Sequence, residues 1–424
     1  MMMIMMILSM TMMNFMKTNS MFLSFIIINL FFSMNNNKML MNSFMLSDSL
    51  SMMMIILSLI TLILIFMAMK NCMNSYILLM MISTFLTLSF KMNNMIMFYI
   101  SFELTLIPTF LLILKNGKQP ERIKASMYML MYTISLSLPM LMYIMFMFPN
   151  NSMMMISIMF KQLNYSMILI MPFLVKLPMY SLHFWLPKAH VEAPMEGSMI
   201  LAAVLLKLGG FGILRILPFI MKFLTKFNLY ILSTSIMGAL YSSMICLYQK
   251  DFKALIAYSS ISHMSLMLAS IMSMKMISIS GTLMMMMSHG MTSSALFMLC
   301  NYIYSKKHSR NLMLMKSISS TNPNLFMWLF LFLMMNMAVP PTLNFMSETM
   351  LIMSVIQWSN LNMMIIFMLM IMTSSFSIMT ILISHNSMIN NKPENLISNK
   401  NSLTYTIHFI PMIILSMSTN IFML

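Results

Sequence analysis

Fourteen times along 424 residues the sequence turns apolar for roughly the length of a membrane crossing, then breaks at a short polar gap. A helix needs about 20 apolar residues to span the hydrocarbon of a bilayer. Once in lipid, a backbone has no water to bond and must satisfy itself as a helix or a closed barrel. Runs of this length select the helix. Only 8% of the residues are charged, against roughly a quarter in a soluble domain. The chain therefore lacks the surface for a soluble catalytic domain. It reads as an all-α, polytopic membrane protein of about 14 transmembrane helices.

The spans that matter below are the third (51–69), fifth (95–114), seventh (165–185), eighth (197–220) and ninth (228–248). To these are added the tenth (253–274), eleventh (278–304), twelfth (324–346), thirteenth (362–385) and fourteenth (404–423). The first two, at 2–16 and 21–33, are short. The apolar start has no basic region and no small-residue cleavage site, so no cleavable signal is expected.

Net charge is +16, from 24 Lys and Arg against 8 Asp and Glu. In a soluble protein this would suggest nucleic acid. Here the basic residues sit in the gaps between spans, and nucleic-acid binding is not expected. Fifteen of them fall in loops after odd-numbered spans, six in loops after even-numbered ones. Positive residues stay on the matrix or cytoplasmic side, so the odd loops are placed there and both termini opposite. Met accounts for 74 residues, Gly for 8 and Pro for 14. That is the signature of AT-rich codons with AUA read as Met, as in many invertebrate mitochondria. Cys72, Cys246 and Cys300 have no metal or disulfide spacing.

Two spans contain helix breakers. The seventh carries Pro172 and Pro178, with Pro187 at its exit, and the twelfth carries Pro340-Pro341. Proline removes a backbone donor and clashes one turn back. Breaks five spans apart suggest two inverted five-helix repeats, a transporter pattern. The chain then divides into N-terminal transmembrane helices (1–90), a first repeat (74–220), a second repeat (228–385) and a C-terminal helix (404–423).

Ionisable residues inside spans are the functional candidates. Glu103 lies about nine residues into span five, and Lys176 in the broken seventh span. Lys207 follows about ten residues of span eight, near mid-membrane. His263 and His289 fall in spans ten and eleven, and Glu348 follows the break in span twelve. A charge at a helix centre costs about 2.5–3.5 kcal/mol on insertion scales. Such residues mark proton or ion pathways by default. The competing readings are snorkelling for Lys207, a structural Glu103–Lys176 pair, and interhelical hydrogen bonding for the histidines. His308, His385 and His408 read as structural.

The strings FELTLIPTFLLI, QPERIKASMYMLMYT, FLVKLPMYSLHFWLPKAHVEAPMEGSMILAAVLLKLGG, DFKALIAYSSISHMSL, SHGMTSSALF and NMAVPPTLNF occur in this order. Across residues 95–350 they resemble the antiporter-like membrane-arm subunits of respiratory complex I, in the mitochondrially encoded NADH-ubiquinone oxidoreductase chain 4 family. The resemblance implies fourteen helices with two broken ones. It implies a Glu103–Lys176 pair in an input half-channel, Lys207 as the central lysine, His263 and His289 along the axis, and Glu348 toward the exit. Partners would be the other complex I subunits, neighbouring antiporter-like subunits among them. A mitochondrial inner-membrane bilayer would surround it, cardiolipin being a candidate lipid. Two positions depart from the family pattern: Met195-Glu196 replaces a small apolar pair, and Ser347 stands where glycine is expected before Glu348.

No GxGxxG turn, iron–sulfur cysteine spacing or flavin site is found. No cofactor is therefore expected on this chain, and NADH, FMN, iron–sulfur clusters and ubiquinone would belong to partner subunits. Two rival functions fit the same polar axis: an autonomous monovalent-cation/proton antiporter, and an assembly subunit with an inactive channel.

Overall fold

The computed structural model describes residues 48–69, 73–117, 119–147, 167–385 and 399–419. Spans one and two lie outside them. The described residues form helices and no named strand; isolated bridge positions occur at Met92 and Asn94 and between Asp251 and Asn311. In chain order the principal helices are α1 (Ser49–Ala68), α2 (Met73–Lys91), α3 (Met95–Leu104), α4 (Leu106–Asn116) and α5 (Arg122–Met147). They continue with α6 (Met167–Lys176), α7 (Trp185–Glu192), α8 (Met195–Ile200), a π-helical turn at Leu201–Leu205, and α9 (Leu206–Tyr248). Then come α10 (Phe252–Met272), α11 (Met276–Lys307), α12 (Ile318–Thr321), α13 (Pro323–Asn336), α14 (Leu343–Trp358), α15 (Asn362–His385) and α16 (Asn399–Met417). Among the described residues, eight segments are long and apolar enough to cross a membrane.

Spans three to fourteen are recognisable in this order, with three differences from the sequence reading. Span five is kinked at Thr105, between α3 and α4, where the backbone stays helical and Met95–Asn116 remains one crossing. Pro108 supplies no N–H to the carbonyl of Leu104 one turn back, and the Thr105 hydroxyl donates to Phe102 O at 2.8 Å. Spans eight and nine, expected as separate helices, are joined by unbroken helical backbone through Pro218. A straight helix of 43 residues would be about 65 Å long, twice the hydrocarbon thickness. The apolar windows Met195–Pro218 and Phe227–Tyr248 are accordingly two crossings. The segment after the break in span seven, expected as a loop exit, folds as the short helix α7.

Helices α10 and α11 are buried almost throughout, although α10 carries Ser259, Ser260, Ser262 and Ser265. Each of these hydroxyls donates to the carbonyl three residues earlier in its own helix. The serines therefore need no outside partner, and a polar-looking helix can occupy the centre. The periphery is the reverse: α15 exposes Met363, Phe367, Ile371 and Leu382, and α5 exposes Met131, Leu138, Met142 and Phe146. Apolar faces of that extent are what a helix presents to lipid.

The connections sort as the charge count expects. Lys253 donates to Ala193 O, Arg310 to Val191 O and Ser319 to His385 O. These contacts tie loops after spans seven, nine, eleven and thirteen together at one end of the bundle. At the other end Arg215, late in span eight, is ion-paired to Asp48 at the start of α1.

Candidate functional site

The break in span seven ends α6 on Lys176 itself. The last carbonyls of a helix lack intrahelical donors and carry partial negative charge. A lysine there is favourably placed. The indole of Trp185, ten residues on, donates to Val175 O at 3.1 Å and satisfies one of those carbonyls. The Lys176 ammonium is turned across to α3, donating to Phe102 O at 3.2 Å and lying 3.0 Å from the centre of the Phe102 ring. That carbonyl lies just before the kink in span five and also accepts from the Thr105 hydroxyl.

Glu103 adjoins this site, within electrostatic reach of Lys176. No direct ion pair joins them: the acid–base contacts within 4 Å among the described residues are Arg215–Asp48 and His263–Glu348. Oε1 of Glu103 is buried without a hydrogen-bond partner there.

Lys207 is fully buried. Its ammonium donates to Ala202 O, in the π-helical turn, and lies 2.9 Å from His289 Nδ1 on α11. A π turn skips one residue in the hydrogen-bond ladder. It thereby presents a carbonyl to the lysine from its own helix. The close approach of α11 depends on Gly290, where a Cβ would come within 3.1 Å of Leu57 and 3.2 Å of Ala203 O. On the opposite side Gly212 lets span eight meet α6; a Cβ there would lie 2.1 Å from the Phe173 ring.

From His289 the axis continues to His263 on α10, ring centroids 5.7 Å apart. His263 Nδ1 is 3.0 Å from Glu348 Oε1, a charge contact without hydrogen-bond alignment. Glu348 lies on α14, the second half of broken span twelve. In that break Pro340-Pro341 is cis and Ala338 has φ 56°. The Asn344 amide donates to Met335 O at 2.8 Å, as Trp185 does to Val175 O. Ser347, the departure from glycine, is buried and hydrogen-bonded to Asn344 O at 2.8 Å and to Met285 Sδ at 3.2 Å.

All six candidate residues are thus inside the bundle. Lys207, His289, His263 and Glu348 form one linked series; Glu103 and Lys176 form a second cluster beside it. The sequence reading overlooked His190, on α7, which is fully buried and stacked on Phe297 at 4.7 Å. The string KAHVE around it is polar enough to read as a loop. His408, read as structural, is also fully buried; its Nδ1 lies 2.9 Å from Thr404 O.

Two broken spans, a buried lysine at a π turn and a row of ionisable groups across the middle define a transporter-type membrane protein. The family model described as NADH:quinone oxidoreductase/Mrp antiporter, TM, matches residues 92–374. The chain belongs to this family, in its NADH-ubiquinone oxidoreductase chain 4 branch. It is 40% identical to the chain of that name from Rhipicephalus sanguineus over 92% of its own length and 91% of the relative's. It is 43% identical to that from Ceratitis capitata over 67% and 65%. The fold is similar to a chain in the structure titled "Respiratory complex I from Thermus thermophilus with bound NADH". The TM-score is 0.84 at 19% identity, covering 93% of this chain and 89% of that one.

Proposed function

We propose that this chain is a core membrane subunit of the proton-pumping NADH:ubiquinone oxidoreductase and carries protons along Glu103, Lys176, Lys207, His289, His263 and Glu348. Electron transfer in other subunits drives it. The observation that carries this reading is the Lys207–His289 contact at 2.9 Å inside a fully buried centre. A lysine ammonium has donors only, so His289 Nδ1 meets it as an acceptor. A proton passed to that nitrogen makes an imidazolium, whose second N–H can release a proton onward to His263 and Glu348. Histidine relays protons in this way because its two nitrogens are separate sites.

Unpartnered buried atoms support internal water along the route. Oε1 of Glu103, Nε2 of His263 and Oε1 of Glu348 have no hydrogen-bond partner among the described residues. Such atoms are costly unless water reaches them. The energy scale is about 2.3 kcal/mol per charge for each 100 mV crossed.

On this reading NADH, FMN, iron–sulfur clusters and ubiquinone are bound by partner subunits, and the neighbours include other antiporter-like subunits. The membrane is the mitochondrial inner membrane, with the odd loops in the matrix and both termini on the intermembrane-space side. The two five-helix repeats are 74–220 and 228–385. The matching side-chain bridges across the breaks, Trp185 to Val175 and Asn344 to Met335, support their correspondence. Lys207→Ala in the assembled complex is expected to remove proton transfer through this subunit by about 100-fold or more, the lower end for a positioned proton-transfer group. Undiminished pumping at full assembly would overturn the assignment.

A further inference from the structure

At the odd-loop end of the bundle lies a cavity of about 740 Å3, whose lining includes Glu192, Glu196, Lys253, Asn301, Ser305 and Arg310. None of these belongs to the axis described above. Glu196 is the carboxylate that stands where the family pattern has a small apolar residue. Lys253 lies within electrostatic reach of Glu192, Glu196 and Arg310.

His190 lies inward of this cavity. It is fully buried, within electrostatic reach of Lys253 on one side and Lys207 on the other. His289 is also within its reach. Both ring nitrogens lack a hydrogen-bond partner among the described residues. The ring is held flat on Phe297, with an interplanar angle of 3°. A buried imidazole with two free nitrogens is costly, and internal water is the ordinary remedy. The stacked ring is fixed in place while both nitrogens stay available, which suits a relay and serves no evident packing purpose that phenylalanine would not.

We propose that the cavity and His190 form a second proton inlet, leading from the odd-loop face directly to Lys207 and bypassing Glu103 and Lys176. Glu196 and Glu192 collect the proton at the mouth, and Lys253, anchored on Ala193 O, sets a positive potential beside them. The proton then binds one nitrogen of His190, the other nitrogen releases its own to Lys207, and the imidazole returns to the neutral form. The inference rests on the proposed function, since it supplies the same lysine.

The test compares His190→Phe, Glu103→Gln and Lys207→Ala in the assembled complex in sealed inner-membrane vesicles, reading protons pumped per NADH oxidised. Phenylalanine keeps the stack on Phe297 and cannot carry a proton. His190→Phe and Glu103→Gln are each expected to lower the ratio part of the way to the Lys207→Ala level, since each leaves the other inlet open, and the two together to reach it. A normal ratio in His190→Phe beside a lowered one in Lys207→Ala overturns the inlet and leaves the function standing. A normal ratio in Lys207→Ala overturns the function itself. If His190→Phe does not assemble, Ser305→Cys decides. A cationic thiol reagent applied from the odd-loop side should lower its ratio by a similar share, and an unchanged ratio after complete labelling overturns the inlet.

Discussion

The two proline breaks solve one problem in two ways. In each, a side chain from the second half reaches back to a carbonyl in the last turn of the first, Trp185 to Val175 O and Asn344 to Met335 O. Break seven places its ionisable residue, Lys176, as the last residue of the first half. Break twelve places Glu348 in the second half, one turn past its N-terminus. A cation beside free carbonyls is the favoured choice, whereas Glu348 lies past the first turn of its helix and rests on His263 instead. The partners differ as well. Lys176 rests on a carbonyl and an aromatic face with its acid held apart, whereas Glu348 contacts His263 directly. A charge lodged against fixed dipoles can stay in place as its acid changes state. One lodged against a titratable neighbour changes with it.

The strongest way to break this comparison is Lys176→Met, which removes the cation while keeping the volume. Proton transfer by the Glu103–Lys176 inlet should fall by about 100-fold or more, read as protons pumped per NADH in assembled complex that also carries His190→Phe, so that the other inlet is closed. Glu348→Gln keeps shape and removes the charge opposite His263. A smaller loss, about 10-fold, is expected, because the histidine pair still accepts protons from Lys207. A loss equal to that of Lys176→Met would erase the distinction between the two ends.

Next in size is the bridging of the breaks. Trp185→Phe removes the side-chain donor to Val175 O, a cost of about 1–3 kcal/mol, whereas Met335 O keeps the Ala338 N–H after Asn344→Ala. Trp185→Phe should therefore lower the thermal stability of the complex more than Asn344→Ala; equal losses would show that the two bridges are equivalent.

The smallest expected effect concerns Glu192, at the odd-loop end beyond the spans. Burial raises its carboxyl above the ordinary range, opposed by the charges of Arg310 and Lys253 and assisted by that of Glu121. A raised acid binds its proton more tightly folded than unfolded, so stability falls as pH rises past the unfolded value near 4.5. Glu192→Gln should therefore be slightly more stable than the parent at neutral pH. The gain should vanish as pH drops through the carboxylate range, checked by melting across pH 4 to 8.

The legibility of the sequence varied with the physics behind each feature. Apolar runs and prolines are local, so the spans and the breaks at Pro178 and Pro340-Pro341 could be read directly. Lys207 and Glu348 stood out because an ionisable residue inside such a run is costly and is seldom kept there without a role. Pro108 carried the signal for the kink in span five, but one proline inside a span does not say whether the helix bends or opens. The continuous backbone through Pro218 was hidden because Lys222 and Lys226 mark a gap in hydropathy without marking a gap in helix. His190 was hidden for the opposite reason. Its neighbours are polar, and only the fold buries it against Phe297. Nothing in LAAVL announces a π turn, since that arises from packing against α11.

That turn also fixes where the central lysine points. One residue inserted into an α-helix rotates everything beyond it by about 100° and shifts it by about 1.5 Å. Lys207 meets His289 because Leu201–Leu205 hold this extra residue. Were the turn to relax into regular helix, the ammonium would swing a quarter of a revolution with no change in amino-acid content. The alignment of the proton path is therefore a matter of phase along one helix, as the engagement of a gear depends on which tooth faces its partner.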